Sequence, residues 1–235
     1  MPDSPLFPNR DPRTVHETDM LLVNAEFPDS YFLDDVLPDS PMRRAYEEHG
    51  EHTYAIAYNN LLFHCLRGGA RQLNARTGTE IRTLLHQNIS HECLFGLPLP
   101  GVRKVHPGTA AAELAWSLLG TEDVSFMSKH AAIWDQFAVD GKIEGAYGHR
   151  WRRAFGRDQL DLALDTLKRD PSNRQVYVSA WDPATDGLDP DSRALAPCPV
   201  GFSLQLLHGR INLMVHMRSS DLAVGLPYDA MCYAY

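Results

Sequence analysis

Cys198 stands between two prolines in Ala196-Pro197-Cys198-Pro199, a setting that removes two backbone donors and takes a strand end out of regular pairing. Downstream, Ile211, Leu213, Val215 and Met217 alternate with Asn212, Met214, His216 and Arg218, the period of a strand. Residues 200–207 and 211–218 flank His208-Gly209-Arg210, so the two runs read as a hairpin. A centre near 208–209 makes partner numbers sum to about 417 and puts Cys198 opposite Arg218 or Ser219. A guanidinium beside a thiol favours the thiolate, which is the nucleophile. An isolated cysteine also serves as a small buried apolar residue, and spacing leaves both readings open.

Glu113 lies in the apolar run AAAELAWSLLG, where helical spacing places it on the face of Ala110, Trp116 and Ser117. A half-buried carboxyl there has a raised pKa and suits proton transfer; a solvent-facing glutamate is the competing reading. Arg76 in a loop, Arg174 before a strand and Arg218 could together bind a phosphate dianion. Taken singly, each reads as a surface charge. Four cysteines without CxxC spacing and 11 histidines without an HxxxH pattern give no metal site.

The elements that must position these residues follow from periodicity. Ala57, Leu61, Leu62, Cys65 and Leu66 recur at helical spacing, with Gly68-Gly69 as a stop. The segment ARTGTE (75–80) reads as a loop. Thr109 caps a helix that runs to Leu119, a third helix covers about Thr121 to Phe137, and Asp158 caps a fourth. That fourth helix carries Leu160, Ala163, Leu164 and Leu167 on one face and stops at Asp170-Pro171. Gln175–Trp181 is a short strand-forming run. Helices mixed with strands predict an α/β or α+β layered domain.

Composition bounds the function. At 235 residues, 44% hydrophobic and 22% charged, the chain is too apolar for wholesale disorder. No apolar run approaches the roughly 18 residues of a membrane span, and no signal-peptide pattern opens the chain, so a cytoplasmic protein without membrane partners is expected. Residues 1–50 hold 11 acidic against 4 basic side chains and 7 of the 16 prolines. They read as an acidic extension, with Met20–Val23 and Tyr31–Leu37 as its packed parts, ahead of a catalytic domain over 51–235. The rest of the chain carries almost none of the net charge of −8, which argues against a nucleic-acid-coating surface.

Read together, the segments from about residue 54 to 235 resemble the thymidylate synthase family. ARTGTE (75–80) is similar to its phosphate loop, AELAWSLLG (112–120) to its glutamate helix and IWDQFA (133–138) to its folate-stacking segment. AYGHRW (146–151) carries the family tyrosine, and SNRQVYVSAW (172–181) resembles the arginine strand that crosses a dimer interface. APCP (196–199) resembles the nucleophile site, and residues 217–235 the phosphate and base-binding segment. The resemblance implies a layered fold with a large mixed sheet flanked by helices. It also implies folate-dependent substitution at C5 of a pyrimidine nucleotide in a homodimer, with 5,10-methylenetetrahydrofolate as co-substrate.

In that frame Cys198 adds to C6, Glu113 manages protons through water and Tyr147 helps remove the C5 proton. Arg76, Arg218 and Ser219 hold the phosphate, with Arg174 supplied by the partner subunit. Trp134, Asp221 and Gly225 line the folate side.

The departures bear on the substrate. Asp229 stands where thymidylate synthases carry asparagine. An ionised carboxylate accepts from the cytosine amino group, and a protonated one also donates to cytosine N3, whereas uracil O4 faces an acceptor. Aspartate here is the pattern of the family's cytidylate hydroxymethylase branch. Pro199 replaces a histidine at the base, Met217 a glutamine, and Gln175 the second arginine of a pair. The resemblance would place a sugar-contacting His-x-Tyr segment and a closing tail beyond Tyr235. The reading is hydroxymethylation of CMP, slightly ahead of dCMP. Methylation of dUMP and a non-catalytic nucleotide-binding homologue or dimer partner are the alternatives.

Overall fold

The computed structural model describes residues 54–75, 77–91, 93, 96–188 and 196–235. The acidic extension, including Met20–Val23 and Tyr31–Leu37, and the loop arginine Arg76 lie outside the described residues. The chain divides into two compact units, one ending at Lys104 and the other beginning at Val105.

In the first unit, α1 (Tyr54–Gly68) precedes the antiparallel hairpin of β1 (Ala70–Asn74) and β2 (Thr79–Thr83). The helix buries Tyr54, Ile56, Tyr58, Asn59 and Leu61, while Leu66 is exposed. The apolar face therefore ends a turn earlier than the spacing predicts. The last turn is held instead by polar contacts: Arg82 Nη1 donates to the Leu66 carbonyl at 2.7 Å, and Cys65 Sγ donates to the Arg82 carbonyl at 3.4 Å.

The second unit begins with α2 (Pro107–Leu119), which starts two residues before the expected cap at Thr109. Proline is favoured there because the first helical position has no intrahelical use for an N–H. The helix ends as expected at Gly120, in the left-handed conformation. The expected helix over 121–137 is broken into α3 (Ser125–Ser128) and a 3₁₀ turn (Ala132–Phe137). Side chains compete with the backbone there: Asp123 Oδ1 accepts from Ser125 N, and Ser128 Oγ donates to Asp135 Oδ1.

Next come α4 (Tyr147–His149), a π-helical turn (Arg150–Ala154) and α5 (Gln159–Arg169). Asp158 caps α5 as expected, its carboxylate accepting from Leu160 N and Asp161 N at 3.1 Å. Ala163 and Leu167 pack with Trp151, Val176, Val178 and Phe202 into one core cluster.

β3 (Tyr177–Ser179), β4 (Pro199–Leu207) and β5 (Arg210–Met217) form an antiparallel sheet in that order. Mixed helices and strands are what the composition of elements predicts. The sheet, however, is three-stranded and antiparallel among the described residues, where a large mixed one was expected. β4 and β5 are joined by only two residues, a connection that permits only antiparallel pairing. His208 and Gly209 both have positive φ, 52° and 74°, as a primed hairpin turn requires. The register runs Leu207↔Arg210 to Gly201↔His216, then shifts to Pro199↔Met217. The expected pairing thus holds along the hairpin and slips by one residue at the prolines. The chain continues to α6 (Gly225–Ala234).

Candidate active site

Glu113 from the middle of α2, Tyr147 from the start of α4 and Asp229 from the first half of α6 meet around one cavity of about 380 Å³. Pro199 and Phe202 of β4 and Cys232 and Tyr233 of α6 complete the inner wall. The volume falls in the range of small-molecule sites, about 300–1,000 Å³. Several apolar side chains that a closed core would bury are open to solvent because they form its rim: Leu118, Leu164, Leu213 and Tyr235. Leu164 thus leaves the buried face predicted for α5.

Direct packing of α2 on α6 brings the two carboxyls together. Cys232 Sγ donates to the Ala110 carbonyl at 3.2 Å, and Tyr235 Oη donates to the Pro107 carbonyl at 3.3 Å. Tyr147 reaches the same wall because Gly148 has no side chain: a Cβ there would lie 1.9 Å from the Ser117 carbonyl oxygen of α2.

Cys198, half-buried, lies between Pro197 and Pro199; Pro199 lines the cavity and Cys198 itself does not. Its backbone is hydrogen-bonded to the Tyr147 phenol, and its carbonyl accepts from Arg218 N at 2.9 Å. The expected placement opposite Arg218 is therefore what forms. Two of the guanidinium N–H groups serve a different purpose from the expected one: Nε and Nη2 donate to the Pro197 and Ala196 carbonyls at 2.8 and 2.6 Å. Arg218 braces the loop that carries the thiol.

The electrostatics follow from burial. Glu113 is pushed up to about 7, first by burial and then by the charge of Asp229. The Trp134 indole N–H is buried without a partner at full hydrogen-bond length, yet it lies near enough to Glu113 to oppose that rise. Asp229 is likewise pushed up to about 7, by burial and by Asp221. The phenols of Tyr147 and Tyr233 and the thiol of Cys232 are raised, mainly by burial, and stay protonated. Two carboxyls that titrate near neutrality among groups that do not can pass protons to a bound molecule.

Trp134 packs inside an aromatic cluster, edge-on to Tyr147 at 5.8 Å and tilted on Trp116 at 5.8 Å. A cleft of about 20 Å³, enough for one water, opens beside Trp134, Tyr147 and Pro197. Asp221 Oδ1 accepts from Ala223 N and Val224 N, closing the turn into α6, and Gly225 starts that helix, where an added Cβ would lie 3.6 Å from Asp221 Cβ and from Asp229 Oδ2. Ser219 is exposed beside Arg218 after β5. Arg174, exposed ahead of β3, does not line the cavity.

Sequence reasoning missed Gly148, Cys232, Tyr233, the buried Arg150 and its partner Asp186. RWRRAFGR looks like a solvated basic run, and its buried member is revealed only by a carboxylate 36 residues away. Among the described residues no helix is long and apolar enough to cross a membrane, and no group of three potential metal ligands occurs. A family model described as Thymidylate synthase matches residues 56–235. The chain belongs to the thymidylate synthase family, whose chemistry is folate-dependent one-carbon transfer to C5 of a pyrimidine nucleotide.

Proposed function

We propose that this chain hydroxymethylates C5 of a cytidine monophosphate, CMP ahead of dCMP, with Cys198 as the nucleophile. The observation that carries the reading is Asp229, a carboxyl in the cavity wall that titrates at about 7. In its neutral form it offers an O–H to cytosine N3 and a carbonyl to the cytosine amino group. In its ionised form it accepts from the cytosine amino group and sets an acceptor against uracil O4, and against cytosine N3 unless that ring nitrogen carries a proton.

The thiolate of Cys198 adds to C6, and the electron pair moves to C5. The bound 5,10-methylenetetrahydrofolate supplies a one-carbon unit at the oxidation level of formaldehyde. Tyr147 holds the C5 proton's path beside Cys198, and Glu113 takes and returns protons at the ring and at the folate nitrogen. C5 would bond to the one-carbon unit as its own proton leaves, and tetrahydrofolate would depart as the carbon–nitrogen bonds break. Water would add its oxygen to that carbon, and Cys198 would leave C6 as the C5–C6 double bond reforms. The chain's own residues fit such a co-substrate: the indole N–H of Trp134 is buried and unpartnered beside Glu113, and apolar walls offer a face to a flat ring. Asp221 and Gly225 stand on the same side as Asp229.

Arg218 and Ser219, together with Arg76, are proposed to hold the phosphate, and Pro199 to border the base. The active unit is proposed to be a homodimer in which Arg174 reaches the partner's phosphate. The outward sheet face supports this, since Tyr177 and Met214 share it and both are exposed. Replacing Cys198 with alanine is expected to abolish C5 proton exchange while nucleotide binding persists; retained exchange would refute the mechanism. Asp229→Asn is expected to move preference toward uracil nucleotides, and unchanged selectivity would remove the substrate assignment.

A further inference from the structure

We propose that Arg150 and Asp186 form a buried positioning clamp that sets the spacing between the Tyr147 phenol and the Cys198 thiol. The proposal rests on the assignment of Cys198 as nucleophile. Arg150 is 2% exposed and Asp186 3%. Their fork is two-pointed: Arg150 Nη1 donates to Asp186 Oδ2, and Nη2 donates to Oδ1 at 3.0 Å. Both side chains are almost fully buried and neither lines the cavity, so the pair is placed to act through its neighbours.

A closed circuit of short links runs through Arg150, which Asp186 holds in place. Arg150 follows Tyr147 by three residues. Its Nη1 also donates to the Ala180 carbonyl at 2.6 Å. Ala180 N and Trp181 N both donate to the Val200 carbonyl, at 3.0 and 3.1 Å. Val200 follows Cys198 by two residues, and the Cys198 backbone returns to the Tyr147 phenol. Gln159 ties the same parts a second time: its Nε2 donates to the Arg150 and Ser179 carbonyls at 2.9 Å, and its Oε1 accepts from Ser179 N at 3.0 Å. Asp186 Oδ2 accepts in addition from Asp182 N at 2.9 Å, so the carboxylate is itself fixed.

A buried ion pair is a poor source of stability, because desolvation offsets most of its attraction and apolar replacements are often neutral. Its planar fork, by contrast, fixes direction at two points and cannot be matched by a lysine. The π-helical turn at Arg150–Ala154 adds a residue to the helix at the place where Arg150 must turn inward. Geometry is therefore what the pair contributes. Misplacement by about 1 Å can cost on the order of a hundredfold in rate.

The test compares wild type with the double variant Arg150→Met, Asp186→Asn, which removes both charges together, and with Arg150→Lys, which keeps the charge but loses the fork. Urea unfolding confirms that each variant is folded, and Arg150→Lys decides the matter if the double variant is not. Two readouts follow: C5 proton exchange of bound nucleotide, and the alkylation rate of Cys198 by iodoacetamide across pH, read on the Cys198 peptide. The expected result is a loss of at least about tenfold in exchange kcat with KM within about twofold, and a changed alkylation profile. Wild-type kcat and an unchanged alkylation profile in a folded variant would overturn the clamp. If wild type itself shows no exchange with any pyrimidine nucleotide, the proposed reaction fails, and the alkylation profile alone still decides the clamp.

Discussion

Replacing Glu113 with glutamine is expected to make the protein more stable at alkaline pH while removing its activity. Burial beside Asp229 carries this carboxyl from 4.5 to about 7. At 1.36 kcal/mol per pH unit, the ionised form is penalised in the folded chain by about 3 kcal/mol. The folded pKa lies above the unfolded one, so the folded protein holds the extra proton between them, and stability falls as pH rises through that window. Below 4.5 both states keep the proton and the penalty is absent; above about 7 it is complete. Glutamine keeps the shape and leaves a carbonyl oxygen near the Trp134 indole without carrying charge. Reversible urea unfolding of both proteins at pH 5, 6, 7 and 8 is the assay. The stability gap in favour of Glu113→Gln should open with pH and approach about 3 kcal/mol at pH 8, part of it coupling to Asp229. A gap that is absent, or that does not change with pH, would refute the buried, proton-holding role of Glu113.

Three further outcomes are expected. Gly148→Ala would press a Cβ to 1.9 Å from the Ser117 carbonyl oxygen, a backbone atom that cannot retreat; it should cost at least about 1–3 kcal/mol in urea unfolding and lower C5 exchange, and wild-type values would contradict the close approach of α4 to α2. Arg218→Lys keeps a charge but cannot bridge the two carbonyls of Ala196 and Pro197, and should lower kcat/KM by about tenfold, the worth of one charge-assisted hydrogen bond. Discrimination of CMP against UMP should change as pH rises through about 7, where Asp229 loses the O–H that cytosine N3 or uracil O4 would accept. A flat discrimination profile from pH 6 to 8 would separate Asp229 from base choice.

The parts of the fold that were legible in the sequence share one property: a local pattern determines them. The alternation over 211–218 and a two-residue turn sufficed to put Cys198 across from Arg218, because a one-residue slip would turn every side chain to the other face. The slip at Pro199 follows from the missing N–H groups that the flanking prolines also announce. Glu113 was legible because Ala110, Trp116 and Ser117 share its face and are buried. Contacts distant in sequence were not. Arg150 and Asp186 each look like surface charges until the fold joins them, and Gly148 is an ordinary glycine until Ser117 lies against it. The helix expected over 121–137 failed because Asp123, Ser125, Ser128 and Asp135 bond one another and interrupt it. Arg218 was placed correctly, yet the use of its N–H groups depended on which carbonyls the Pro197 loop turned toward it.

A competition among nucleotides tests both the cytidylate substrate and the hydroxymethyl product. The protein is incubated with 5,10-methylenetetrahydrofolate and an equimolar mixture of CMP, dCMP, UMP and dUMP, and the products are weighed by mass spectrometry. A hydroxymethylated cytidylate, CMP ahead of dCMP, is the expected result. Methylated dUMP would contradict the role given to Asp229, and no product at all would contradict the enzyme reading and leave a nucleotide-binding homologue.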